Sequence, residues 1–168
     1  MTAILKSSFL AAALLGATGC ASLPAPDPFA WTVGHWHGTR HSGDGGRDAR
    51  MTVLVERLGD GAGQVECLRV EAPTSPYVGF TITRREESGA WKMIYVNSTE
   101  HAFARLEGAS SGAKTVWSSV TPGRLRESRL VSERIGDDLW RKTQQYSEDG
   151  GATWQVLFTD ELERDSGG

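Results

Sequence analysis

Residues 154–164 read Trp154-Gln155-Val156-Leu157-Phe158-Thr159-Asp160-Glu161-Leu162-Glu163-Arg164, and Trp154, Val156, Phe158, Leu162 and Arg164 all share one parity. A period of two is what an extended strand shows when one of its faces turns toward a core. The same period recurs upstream, in Met51, Val53 and Val55 and again in Val78, Phe80 and Ile82. Each set reads as an inner face. Between such runs lie turn-forming clusters: Gly59-Asp60-Gly61-Ala62-Gly63, Glu87-Ser88-Gly89, Gly136-Asp137 and Asp149-Gly150-Gly151. Their length suits hairpins, and no helical period is sustained anywhere between them. Strands are expected near 31–41, 50–58, 64–72, 77–85, 90–97, 101–107, 114–120, 126–135, 138–147 and 153–163. A meander this long closes on itself, because closure removes its exposed edges. The expectation is an all-β chain forming an antiparallel, up-and-down closed β-barrel of about ten strands. The eighth and ninth strands interleave Leu130, Val131, Leu139, Trp140 and Tyr146 with Arg126, Arg129, Arg134, Arg141, Lys142, Gln144 and Gln145. There, either both faces are partly wet or the barrel has a polar lumen.

The N-terminal end has a different composition. Residues 7–19 carry no charge, follow Lys6 and are too few to cross a bilayer as a permanent helix, so they read as a removable signal. The segment Leu14-Leu15-Gly16-Ala17-Thr18-Gly19-Cys20 resembles the lipobox of bacterial lipoproteins, with Ala17 where Leu is usual. That resemblance implies a lipid-modified Cys20 and a membrane anchor, since each buried CH₂ contributes about 0.8 kcal/mol and several acyl chains hold almost permanently. Ordinary secretory cleavage near Ala21 would instead leave a soluble periplasmic protein. Ala21 is not the Asp that tends to retain Gram-negative lipoproteins in the inner membrane, so the expected place is the cell envelope, facing the periplasm, at the outer membrane. Pro24, Pro26 and Pro28 make residues 20–28 a tether, leaving 29–164 as the barrel domain and 165–168 as a tail. The net charge of −3, with basic residues spread among acidic ones, gives no nucleic-acid surface. With Cys20 lipidated, Cys67 has no disulfide partner, and in its apolar-alternating stretch it reads as a buried, inert thiol.

The first strand holds Phe29-Ala30-Trp31-Thr32-Val33-Gly34-His35-Trp36-His37-Gly38-Thr39. Here Gly34-x-Trp36 resembles the N-terminal Gly-x-Trp signature of lipocalin, or calycin, barrels. With the Asp-Gly-Gly-Ala-Thr-Trp pattern near the other end, the chain from Phe29 to Arg164 is also similar to an uncharacterised bacterial lipocalin-like family. In those folds the Trp closes one end of the barrel and a basic residue near the end of the last strand packs across its ring. The resemblance implies that Trp36 and Arg164 form that structural pair, with Gly34 as the glycine of the signature, and Arg164 has the parity to point inward. Ser147-Glu148-Asp149-Gly150-Gly151-Ala152-Thr153-Trp154 also matches the Asp-box of sialidase-type propellers, but a single copy reads as a hairpin turn organised by Asp149.

His35, His37 and His41 fall on one face of a strand and are weak candidates for a metal, because an inward Trp36 turns them outward and no Asp or Glu lies in the strand beside them. Small ten-stranded haem barrels take their axial His from near the C-terminus, whereas the last His here is His101, so no haem and no other cofactor is expected. His101 follows Asn97, Ser98, Thr99 and Glu100 in an apparent turn, and no catalytic residue is assigned. The barrel resemblance implies a lumen for a small, mainly apolar ligand. Phe80, Tyr95, Phe103, Trp117, Trp140 and Tyr146 are its candidate wall, with Arg129 or Arg141 as an anchor for an acidic head group. Two other classes stay open: a filled barrel acting as an envelope interaction module, and an isomerase or cyclase working in the cavity. An empty apolar lumen points to binding, converging His, Asp or Arg to catalysis, and a packed lumen to interaction. Oligomeric state is left open.

Overall fold

The computed structural model describes residues 27–59, 61–72, 76–99, 103–119 and 127–166. Residues 1–26, with the signal segment expected from the sequence and Cys20, lie outside the described residues, as do His101 and the Phe103 side chain. Ten antiparallel strands follow one another: β1 (Gly34–Ser42), β2 (Ala49–Arg57), β3 (Gly63–Glu71), β4 (Tyr77–Arg85), β5 (Trp91–Asn97), β6 (Phe103–Ser111), β7 (Lys114–Ser119), β8 (Glu127–Arg134), β9 (Leu139–Ser147) and β10 (Gln155–Arg164). Each pairs with its sequence neighbours, and β1 closes the cylinder against β10. Trp36 shows the closure directly, since it faces Val53 on one side and Arg164 on the other. This is the closed up-and-down barrel that the alternation calls for, and it is consistent with the calycin resemblance.

The chain before β1 departs from the expected strand. Ala30–Thr32 is a 3-10 helix that crosses one end of the barrel. Thr32 Oγ1 donates to the Phe29 carbonyl at 2.8 Å, and Trp36 Nε1 donates to the Thr32 carbonyl at 2.8 Å, so the first turn folds back instead of extending. The helix delivers one aromatic ring to each of two clusters. Phe29 packs edge-on to Trp91 and is stacked with Trp117, at 4.8 and 5.2 Å between centroids. Trp31 meets Trp36 and Trp140, which are themselves 5.4 Å apart. These rings fill the closed end, packed mostly edge-to-face as aromatic quadrupoles prefer. Gly108 is part of the fit, because a Cβ there would lie 2.4 Å from the Trp117 ring.

The inner face is set by Ala49, Met51, Val53 and Val55 on β2 and by Leu68 and Val70 on β3, all buried. On β4 the alternation is real but its sense is reversed. Val78, Phe80 and Ile82 face outward, with Phe80 48% and Ile82 45% exposed, while Gly79, Thr81 and Thr83 face the interior. The strand register sets this sense, since Gly79 lies opposite the inward Leu68 and Thr81 opposite the inward Tyr95, and at Gly79 itself a Cβ would sit only 3.0–3.1 Å from those two side chains. On β10 the register slips between Val156 and Phe158. A one-residue bulge moves every residue on one side of it to the opposite face, so Val156 turns outward and the inward parity starts at Phe158. Cys67 is likewise an outer-face residue, half-buried and paired in register with Leu54 and Phe80; it is a free thiol but not a core one.

Candidate functional site

Away from the aromatic plug the barrel is hollow. A cavity of about 410 Å³ lies between the walls, within the usual range for small-molecule sites. Its apolar lining includes Leu68, Met93, Ala104, Leu106 and Leu130, and its polar lining includes Thr81, Asn97, Ser128 and Gln144. Four charged side chains also face it among the described residues: Arg40, Glu66, Lys142 and Asp160.

These charges come in two pairs of different geometry. Arg40 on β1 and Asp160 on β10 are register neighbours. Arg40 Nε donates to Asp160 Oδ1 at 2.6 Å and Nη2 donates to Oδ2 at 2.8 Å, a planar two-point contact to a carboxylate with no solvent exposure. The guanidinium also lies 3.7 Å from the Phe158 ring centroid and 5.5 Å from that of Tyr77. The second pair, Lys142 on β9 with Glu66 on β3, joins strands nearly opposite in the cylinder. It spans the lumen as a crossbar, with side chains only 5% and 7% exposed. Beneath it the Trp140 ring lies 4.8 Å from the Lys142 ammonium, so the crossbar separates the cavity from the aromatic plug. Taking such charges out of water costs several kcal/mol each unless they are paired and hydrogen-bonded, and here both conditions hold. No buried side-chain nitrogen or oxygen among the described residues lacks a hydrogen-bond partner.

Of the sequence-derived wall residues, Tyr95 lines the cavity. Trp117 and Trp140 belong to the plug beneath it, and Trp140 Nε1 donates to Ser132 Oγ at 2.8 Å. Tyr146 is half-buried near the end of β9, its hydroxyl donating to Gln155 Oε1 at 2.7 Å. Phe80 is outside the barrel. Arg129 and Arg141 are outside as well, so neither anchors a head group in the lumen. Arg129 Nε donates to Gln145 at 2.7 Å and its guanidinium lies over Trp154, while Arg141 pairs with Glu161 at 3.1 Å. The physical reason is parity: Ser128, Leu130, Lys142 and Gln144 take the inward positions of β8 and β9, leaving the arginines between them on the outer face. The lumen is therefore polar on that side. The polar interleaving of the ninth strand already includes Lys142, and all four charges carry a signal in the sequence, since each shares parity with a buried residue: Arg40 with Trp36, Glu66 with Leu68, Lys142 with Trp140, and Asp160 with Leu162.

At the closed end, the Arg164 guanidinium lies 4.1 Å from the Trp36 ring centroid. Its Nη1 donates to the Val33 carbonyl at 2.7 Å and its Nη2 to the Trp31 carbonyl at 2.5 Å. Gly34 makes room for it: φ is +130° there, and a Cβ would sit 2.8 Å from Nη1. The three histidines of β1 do not converge. His37 meets Asp165 at 2.5 Å, His41 meets Asp48 at 3.0 Å, and among the described residues no three His, Cys, Asp or Glu side chains are grouped to hold a metal ion. In the Ser147–Trp154 hairpin, Asp149 accepts from the Thr153 amide at 2.9 Å and from the Thr153 and Ser147 hydroxyls, both at 2.7 Å. These contacts, the Thr153 amide first, hold its carboxyl down at about 2.

Set beside known proteins, the chain matches no family model, and no curated protein matches it.

Proposed function

We propose that the protein is a lipid-anchored binder or carrier, which takes a small, mainly apolar molecule into the barrel lumen within the cell envelope. The observation that carries this is the cavity of about 410 Å³, walled largely by Leu68, Met93, Leu106 and Leu130 and shut at one end by the aromatic plug. A filled interaction barrel would have side chains in that space. Anchoring rests on the Cys20 segment and the proline-rich tether, and the outer-membrane placement on Ala21. The test is native mass spectrometry and an absorption spectrum of the lipid-anchored protein purified from its own membranes. A discrete extra mass that disappears on denaturation supports a carrier, and a visible band in the spectrum points to a pigment. Bare polypeptide plus its lipid overturns the reading in favour of an interaction module.

A second reading, an isomerase or cyclase working inside the barrel, draws support from one observation: an ammonium and a carboxylate meet inside the cavity at Lys142 and Glu66. Positioned acid and base groups are what proton-transfer catalysis needs. Incubating the recovered molecule with protein separates the two, because a carrier returns it unchanged and an isomerase returns a different compound of the same mass.

A further inference from the structure

We infer that the lumenal ligand is an electrically neutral amphiphile whose head group both donates and accepts hydrogen bonds, such as an alcohol or a primary amide, and that this head group docks on the Lys142–Glu66 crossbar. The inference rests on the ligand-binding reading above and narrows it to a chemical class.

The argument is one of charge balance in a low-dielectric space. Two cations, Arg40 and Lys142, and two anions, Asp160 and Glu66, face the cavity among the described residues, and each is matched by a partner. The sum is zero. A carboxylate or ammonium entering this space would be a fifth, unmatched charge, and would have to give up its hydration without a counter-ion. Taking a partner from an existing pair does not help it. An anion that displaced Asp160 from Arg40, or Glu66 from Lys142, would strand a buried carboxylate, and one that took only a spare N–H and left both pairs intact would itself be the uncompensated charge in a neutral lumen. In either case one charge is left buried and alone.

A neutral head group faces no such cost. Among the described residues the Lys142 ammonium has one hydrogen-bond partner, Glu66, although it carries three N–H donors. Among the described residues Glu66 in turn receives one side-chain bond, on one of its two oxygens. A hydroxyl or amide at the crossbar can therefore accept from Lys142 and donate to Glu66 without breaking the pair. The apolar remainder then lies along Leu68, Met93, Leu106 and Leu130.

The test uses the purified protein, with displacement of the neutral fluorescent probe N-phenyl-1-naphthylamine by four molecules of one chain length: decanol, decanamide, decanoate and decylammonium, at neutral pH. The expected result is that decanol and decanamide bind at least about tenfold more tightly than either ion. Glu66→Gln is expected to reverse the order, because it leaves the Lys142 charge unmatched and makes decanoate the best of the four. If decanoate or decylammonium binds the unaltered protein as tightly as the neutral pair, the inference is overturned while the ligand-binding reading stands. If the probe shows no saturable binding and none of the four molecules is detected on the protein by native mass spectrometry, both fall together. The series on the unaltered protein decides the matter even where Glu66→Gln does not fold.

Discussion

Replacing Arg164 with Ala tests how the barrel is shut. Arg164 is the last residue of β10, and its guanidinium ties four groups together: the Trp36 ring, the main-chain carbonyls of Trp31 and Val33, and the exposed Asp138 carboxylate at 3.3 Å. Truncation removes two hydrogen bonds from a charged donor, worth about 1.5–3 kcal/mol each where water is excluded. It also removes a cation–π contact of about 0.5–1 kcal/mol. The side chain keeps 27% of its exposure, so water replaces part of what is lost, and about 3 kcal/mol is the reasonable net cost. For a domain of this size each kcal/mol moves the midpoint by about 3–4 °C, which gives a fall of about 10 °C in calorimetry. Arg164→Lys keeps the charge but cannot reach both carbonyls with a planar fork, so it should recover no more than about half of the loss. Gly34→Ala should act in the same direction, since its Cβ would press on Nη1 at a φ of +130°. A midpoint within about 2 °C of the parent for Arg164→Ala would refute the idea that these contacts shut the barrel.

The buried pair on the wall gives a sharper contrast: Asp160→Asn leaves Arg40 uncompensated and should cost about 3–5 kcal/mol in urea unfolding, whereas Arg40→Met with Asp160→Leu should cost far less. The outward turn of β4 predicts that Phe80→Thr changes stability by no more than about 0.5 kcal/mol. Met51→Ala, at a buried site, should by contrast cost about 2–5 kcal/mol, and the same urea titration reads both. The Ser147–Trp154 hairpin should be held by an ionised Asp149. Its folded carboxyl titrates at about 2 against 3.8 for the ordinary group, so its contribution is complete above 3.8 and is lost as the pH falls through about 2. Protection of the Thr153 amide, taken relative to its intrinsic exchange rate at each pH, checks this, and a protection factor unchanged across that window would exclude the role.

The alternating runs and the short glycine-rich turns were enough to read an all-β meander, because strand period and turn chemistry are local properties. Closure followed from them, since a chain of paired strands with two free edges gains by joining its ends. Which face of each strand turns inward is not a local property. On β4 the sequence offers two faces, one with Val78, Phe80 and Ile82 and one with Gly79, Thr81 and Thr83, and the more apolar one lies outside because the register sets Gly79 and Thr81 against the inward Leu68 and Tyr95 of the neighbouring strands. A bulge at Leu157 carried out the same inversion on β10, and no pattern of residue types announces it. The candidate site suffered most from this. Arg129, Arg141 and Lys142 lie in the same mixed polar and apolar strands, and only the inward parity of β8 and β9 separates the lumenal cation from the outer arginines, a single step from Arg141 to Lys142.

By itself the sequence determined the strand count, the hairpin order and the Gly34, Trp36 and Arg164 positions that meet at the closed end, since each depends on period, turn residues or a short motif. Only the tertiary structure decided that the lumen is hollow and that Glu66 and Lys142, far apart in the chain, meet across it. The reason is physical: a period of two fixes that a strand has two faces, but the choice between them is made by volume and charge contributed from strands on the far side of the barrel.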